Sequence, residues 1–193
     1  SHAIGGTYKD TGKEYKIGGC AHSDLCIFSF HPVKTITMGE GGAITTNDRT
    51  LAAKMRSLRN HGITRTVDKF LNKGMAFNNN DSPNVWYYEQ HELGFNYRAT
   101  DIQCALGLSQ INKLKDFSEI RGQLVNYYKE KLIDAAIFAN PVDPAPGTNP
   151  VQHLYPVKVN FQHYKKDKNQ LMTNLHRRGI GTQVHYIPVH LQP

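Results

Sequence analysis

The chain has 193 residues, 39% of them hydrophobic, which is enough for one sizeable core or for a domain with a smaller appendage. Its 23 Lys and Arg outnumber its 16 Asp and Glu, and the formal charge of +7 suits nucleic acid, a membrane surface or a phosphorylated small molecule. Cys20, Cys26 and Cys104 include no CxxC pair, which argues against a disulfide framework or a zinc knuckle. With no run near the roughly 18 apolar residues of a membrane span, and no signal-like pattern in the first residues, the expectation is a soluble, cytoplasmic protein.

In chain order, AIGGTYKDTGKEYKIGG predicts a hairpin that turns at Asp10, Thr11 and Gly12. Residues 26–30 form a short apolar run that reads as a buried strand, and residues 43–46 read as the next one. Asn47 or Asp48 can cap a helix whose apolar positions are Leu51, Met55 and Leu58, closed by Asn60, His61 and Gly62. From 64 to 92 the periodicity fades, and NNNDSPN is dense in turn formers, so an extended surface loop is expected.

Thr100 and Gln103 make a capping-box pattern before a helix lined by Ile102, Leu106 and Leu114, in which Ala105 and Gly107 permit close packing; the spacing predicts a buried helix. Phe117, Ile120, Leu124, Tyr127 and Lys131 mark a second, amphipathic helix, followed by the proline-rich connector NPVDPAPGTNP. HLYPVKV then predicts a strand, KDKNQLMTNLHRRG a helix ended by Gly179, and GTQVHYIPVHL another strand, together a small lobe.

The stretch FSFHPVKTITMGEGG places Lys34 between an apolar strand and a glycine cluster. A lysine traps carbonyls only when unprotonated, a state favoured by apolar, partly cationic surroundings, and Phe28, Phe30 and Val33 are apolar neighbours. Ser29 can donate to a phosphate oxygen, and His31 can do so or shuttle protons. On these residues alone, Lys34 reads as a solvated loop lysine, which its local chemistry does not overturn.

The segments SFHPVKTITMGEGGAITTND, RSLRNHG, ELGFNYRATDIQCALGLSQI, HLYPVKV and QVHYIPVH change that balance. In this order they resemble segments of the DegT/DnrJ/EryC1/StrS family of sugar aminotransferases, across nearly the whole chain. The resemblance implies an α/β chain, part of a fold-type I transferase that uses pyridoxal 5'-phosphate (PLP). Residues 1–140 would be the C-terminal portion of its cofactor-binding large domain and 141–193 an incomplete small α+β lobe. Within the family, HPVK, YYEQHELGFNYR and HYIPVHLQP are most similar to the C4 aminotransferases of the pseudaminic acid pathway, which act on a UDP-linked 4-keto-6-deoxy sugar, although relatives acting on other nucleotide sugars share most of these segments.

By this resemblance Lys34 matches the catalytic lysine that reacts with the cofactor aldehyde, with glutamate the usual amino donor. Ser29 matches a serine on the cofactor phosphate, and Asn96 an asparagine given to that phosphate by a neighbouring subunit, which implies a homodimer. His2 matches the histidine of a cofactor-site motif whose carboxylate, the partner of the pyridine nitrogen, would lie upstream of Ser1. His31, Arg98, Gln183, His185 and Tyr186 are the expected substrate-binding residues, with pairing of Arg98 to Asp101 as the alternative for that arginine. The family's N-terminal region is not in the sequence, and the segment between His2 and Lys34 is longer than the family pattern. The chain is therefore expected to be a fragment that holds cofactor-site pieces and can itself be inactive.

Competing readings are weaker. Dehydratases of the same fold replace the lysine with histidine, which Lys34 contradicts. LHRRG and the basic surplus fit a nucleic-acid-binding module, but no recognition motif accompanies them. A zinc site in HYIPVH would need His185 and His190 on one face, and a spacing of five in a strand opposes them, so no metal is expected.

Overall fold

Thr11 and Gly12, both at positive φ, turn Thr7–Asp10 (β1) back onto Lys13–Lys16 (β2) in the computed structural model, which describes residues 2–136 and 139–193. Two positive φ values in a two-residue loop match the right-handed twist of the paired strands, as a hairpin requires. Tyr8 and Tyr15 face each other across the register with their rings 5.5 Å apart. A short strand, Thr148–Asn149, adds to the other edge of β1.

Cys26–Ser29 (β3) pairs antiparallel with Gly42–Thr45 (β4), setting Phe28 opposite Ala43 and Ser29 opposite Gly42. Alternation puts Cys26 and Phe28 on one face of β3. Phe28, Phe30 and Ile36 form the first core, against which Ile4, Ile17, Met38, Leu114 and Phe117 pack. Burying each phenylalanine contributes about 2–3 kcal/mol. Asp48 caps the following helix, Arg49–Leu58 (α1), accepting from the backbone N–H of Thr50 and Leu51.

The region from 64 to 92 is more ordered than its faded periodicity predicts. Ile63–Thr64 (β5) pairs with Glu89–Gln90 (β6), and the chain between them includes one helical turn, Lys73–Ala76 (α2), capped by Asn72. Phe70, Ala76 and Tyr87 make a second small core, with Phe70 and Tyr87 in edge contact at 4.9 Å. These residues lie far apart in sequence, so no helical or strand period announces them.

The capping box of Thr100 and Gln103 forms as expected and starts Asp101–Ile111 (α3), but the helix is not buried. Ile102 is 83% exposed, and Leu106 and Leu108 are exposed too. Gly107 is closely packed, since an added Cβ there would come within 2.7 Å of Met38 Cγ. Leu114 belongs to the next helix, Leu114–Lys131 (α4), because α3 ends at Asn112.

The described chain divides into two interleaved units, 2–123 with 144–153 and 124–143 with 154–193. Pairing of Thr148–Asn149 with β1 returns the connector to the first unit. In the second unit Ala139–Pro141 (β7) pairs antiparallel with Val157–Val159 (β8), followed by Phe161–Tyr164 (α5) and Lys168–Arg177 (α6). Asp167 and Gln170 form a capping box on α6, and Gly179 follows its end with φ of 78°. The strand expected in GTQVHYIPVHL does not form: residues 181–193 are exposed and make only a 3-10 turn at Val189–Leu191. No ladder partner reaches them among the described residues, and a strand without one leaves its backbone groups to water.

Candidate functional site

The loop between β3 and β4 is held as one piece. Phe30 N–H donates to Gly41 O at 2.8 Å, and Met38 N–H and the Thr37 hydroxyl both donate to Phe30 O, at 2.9 and 3.1 Å. Lys34 N–H donates to His31 O, closing a turn, and Gly39 N–H donates to Thr37 Oγ1. Ile36, 3% exposed, anchors the loop in the first core, and Thr35 beside it is 6% exposed. Lys34, half-buried, is the residue just before this pair, so its backbone is fixed by its neighbours.

The Lys34 amine meets His2, with Nζ 2.5 Å from Nε2. Either the ammonium donates to a neutral imidazole or a neutral amine accepts from Nε2–H, so the pair can hold one proton between two bases. The His2 ring lies 4.9 Å from that of His153. His153 is held in turn from its backbone, since Arg121 donates to the carbonyls of Gln152 and His153 at 3.3 and 3.1 Å, and the adjacent Val151 is buried. Thr35 Oγ1 is buried with no hydrogen-bond partner among the described residues.

The other expected site residues fall in three places. Ser29 ends β3, half-buried and on the face opposite Phe28, at the start of the lysine loop. His31 is engaged within the loop, where Nε2 lies 3.5 Å from Glu40 Oε1 and Nδ1 accepts from Val33 N–H. Asn96 bridges to Asn60, and Arg98 donates to Asn60 Oδ1 at 2.6 Å in place of the considered pairing with Asp101. Gln183, His185 and Tyr186 are exposed in the second unit, with the His185 and Tyr186 rings 4.0 Å apart. Because that segment is not a strand, the facing argument about His185 and His190 lapses. No group of three or more His, Cys, Asp or Glu among the described residues could hold a metal, and no helix there is long and apolar enough to cross a membrane.

Sequence reasoning missed His153 and Thr35. The first directly precedes LYPVKV and the second directly follows Lys34, but only the fold brings the histidine to His2. It also missed Glu89, whose carboxylate accepts from Leu71 N–H, Asn72 N–H, the Tyr87 hydroxyl and His91 Nε2. Burial by itself would raise the Glu89 pKa, but these hydrogen bonds outweigh it and hold the carboxyl at about 2, below its ordinary 4.5. Burial and the neighbouring Glu89 charge raise the Tyr87 phenol in response. This carboxylate fastens the second small core to β6.

Residues 1–193 match the sequence profile of the DegT/DnrJ/EryC1/StrS aminotransferase family. A UDP-4-amino-4,6-dideoxy-N-acetyl-beta-L-altrosamine transaminase of Campylobacter jejuni (strain 81-176) is 37% identical over 190 residues, which are 98% of this chain and 44% of that protein. Helicobacter pylori PseC, a solved aminotransferase involved in the biosynthesis of pseudoaminic acid, is 32% identical with a TM-score of 0.80 over 99% of this chain and 45% of its own. Spr1654 from Streptococcus pneumoniae, solved in a PLP form, is 25% identical with a TM-score of 0.75, over 99% of this chain and 43% of its own. The mixed α/β fold is thus part of the fold of these aminotransferases, and the chain spans less than half the length of each.

Proposed function

The chain belongs to the DegT/DnrJ/EryC1/StrS aminotransferase family, and from that premise we propose that it contributes the lysine side of a PLP site. The reaction would transfer an amino group, with glutamate as donor, to C4 of a UDP-linked 4-keto-6-deoxy sugar of the pseudaminic acid type. The observation that carries this reading is the Lys34–His2 pair at 2.5 Å on a loop fixed by backbone hydrogen bonds.

The residues present fit the cofactor. An amine stands against an imidazole, Ser29 offers a hydroxyl at the strand end before it, and the buried Thr35 hydroxyl has no partner among the described residues. Lys34 would hold the cofactor aldehyde and Ser29 its phosphate. When bound, PLP supplies the electron sink for breaking and making bonds at the amine-bearing carbons.

The chain's own groups do the rest. His2 Nε2 stands within hydrogen-bond reach of Lys34 Nζ, where it would orient the amine toward the cofactor aldehyde. His153 beside His2, itself fixed through Arg121, limits rotation of the imidazole. The core formed by Phe28, Phe30 and Ile36 keeps water from the inner side of the loop.

Asn96 and Arg98, tied to Asn60, fit presentation to a second subunit's phosphate and sugar, so a homodimer with shared sites is part of the proposal. Gln183, His185 and Tyr186 would meet the nucleotide sugar. Residues 1–140 and 141–193 would then be portions of the large domain and the small lobe.

Assay of the complete gene product with PLP, glutamate and a panel of nucleotide-linked 4-keto sugars tests the reading. The expected result is 2-oxoglutarate formation with the UDP-linked 4-keto-6-deoxy sugar. Turnover of a different keto sugar alone would replace the substrate, and no glutamate consumption with any sugar would contradict the activity.

A further inference from the structure

We propose that Cys20 and Cys26 form a dithiol that closes to an internal disulfide on reaction with a small-molecule disulfide. The two thiols flank one side chain. Cys20 Sγ lies 3.3 Å from Thr45 O and 3.6 Å from Thr45 Oγ1, while Cys26 is the direct cross-strand partner of Thr45. Directly opposed residues project to the same face with Cβ atoms about 4.5–5.5 Å apart. Cys20 Sγ and the Cys26 side chain therefore both neighbour Thr45.

Both cysteines line the same cavity of about 500 Å3, with Tyr8, Lys9, Lys16 and His22 among the other walls. That volume admits a small organic disulfide. His22 is occupied on both ring nitrogens, by the Tyr8 hydroxyl at 2.7 Å and by Asp10 at 3.2 Å. Lys9, Lys16 and Asp10 are the cavity's other charged walls.

The backbone at Cys20 is an independent sign. Its φ of 51° is in the left-handed region, sparsely occupied by residues other than glycine, asparagine and aspartate. Gly18, with φ of 90°, and Gly19 precede it, so this segment has the freedom to bring the Cβ atoms to the roughly 3.5–4.5 Å that a disulfide needs. Closure would tie the hairpin base to β3, the strand that ends in Ser29 and leads to Lys34.

The chemistry balances without another reagent. The Cys20 thiolate attacks one sulfur of the small disulfide, forming a mixed disulfide and expelling one thiolate. The Cys26 thiolate then attacks Cys20 Sγ and expels the second. The two protein thiols lose two electrons and two protons in all, and the small disulfide is reduced to two thiols.

Oxidised glutathione serves as the probe. The fully reduced protein is incubated with it, quenched with iodoacetamide and digested with trypsin without reduction. Since cleavage follows Lys16 and Lys34, both cysteines fall in one peptide. The expected result is a 17–34 peptide lighter by two hydrogens and without alkylation, while the Cys104 peptide carries carbamidomethyl or glutathione. In the Cys26→Ser variant, glutathione should stay on Cys20. Alkylation of both cysteines, stable glutathione on both, an unmodified Cys20 in the variant, or equal closure rates in folded and urea-unfolded protein would each overturn the proposal.

Discussion

The lysine loop and the C-terminal segment both carry residues expected at the site, yet the chain treats them differently. Residues 30–41 are tied to the ends of two strands and anchored by Ile36. Residues 181–193 are exposed throughout and lack a strand partner among the described residues. The difference shows where chemistry can be positioned by one chain's own contacts: the Lys34 amine has a fixed neighbour in His2, whereas Gln183, His185 and Tyr186 take their arrangement from one exposed stretch. The stretch 67–91 stands between these cases, a small core closed by one carboxylate.

This contrast is open to measurement. The largest effect is expected at Phe28, 6% exposed and central to the core beneath the lysine loop. Phe28→Ala should cost about 3–5 kcal/mol, read as a lower urea midpoint. A loss below about 1 kcal/mol would mean that the loop is not supported by this core.

Next is Glu89→Gln, which removes the charge from the carboxylate that receives Leu71 and Asn72 N–H. Hydrogen exchange at those two amides should accelerate roughly tenfold, because charge-assisted bonds are lost locally. Since folding lowers the Glu89 pKa from 4.5 to about 2, its stabilisation is complete above 4.5 and disappears as the pH falls from there toward 2. Protection of the Leu71 and Asn72 amides should decline across that window in the native protein and more weakly in the variant.

In the second unit, α6 starts from a local signal. Asp167→Ala removes the capping box of α6 and should cost about 1 kcal/mol, read by thermal melting of helical circular dichroism. Val189→Ala, at a position 89% exposed, should shift stability by less than about 0.5 kcal/mol. A larger effect there would show that the C-terminal segment is packed, which would erase the contrast with the lysine loop.

What was legible in the sequence follows the range of the forces involved. Local chemistry announced itself: Thr11 and Gly12 at the hairpin turn, Asp48 and Thr100 as caps, Gly179 after α6. Contacts between distant residues did not. His2 reaches Lys34 across 32 positions, and Phe70 meets Tyr87 without any shared period. Helix α3 misled for the opposite reason, since its apolar residues signal burial but the described residues leave Ile102 and Leu108 uncovered. Lys34 itself reads as a solvated loop lysine from its neighbours and becomes a site candidate through segments matched along the whole chain.

The most direct test of the account is where the cofactor attaches. The protein is mixed with PLP, reduced with borohydride and mapped by mass spectrometry, alongside Lys34→Ala. The structure predicts a pyridoxyl group on Lys34 ahead of every other lysine and loss of that preferred adduct in the variant. An unlabelled Lys34 beside labelled surface lysines, or an even spread over all of them, would contradict a formed site at the Lys34–His2 pair.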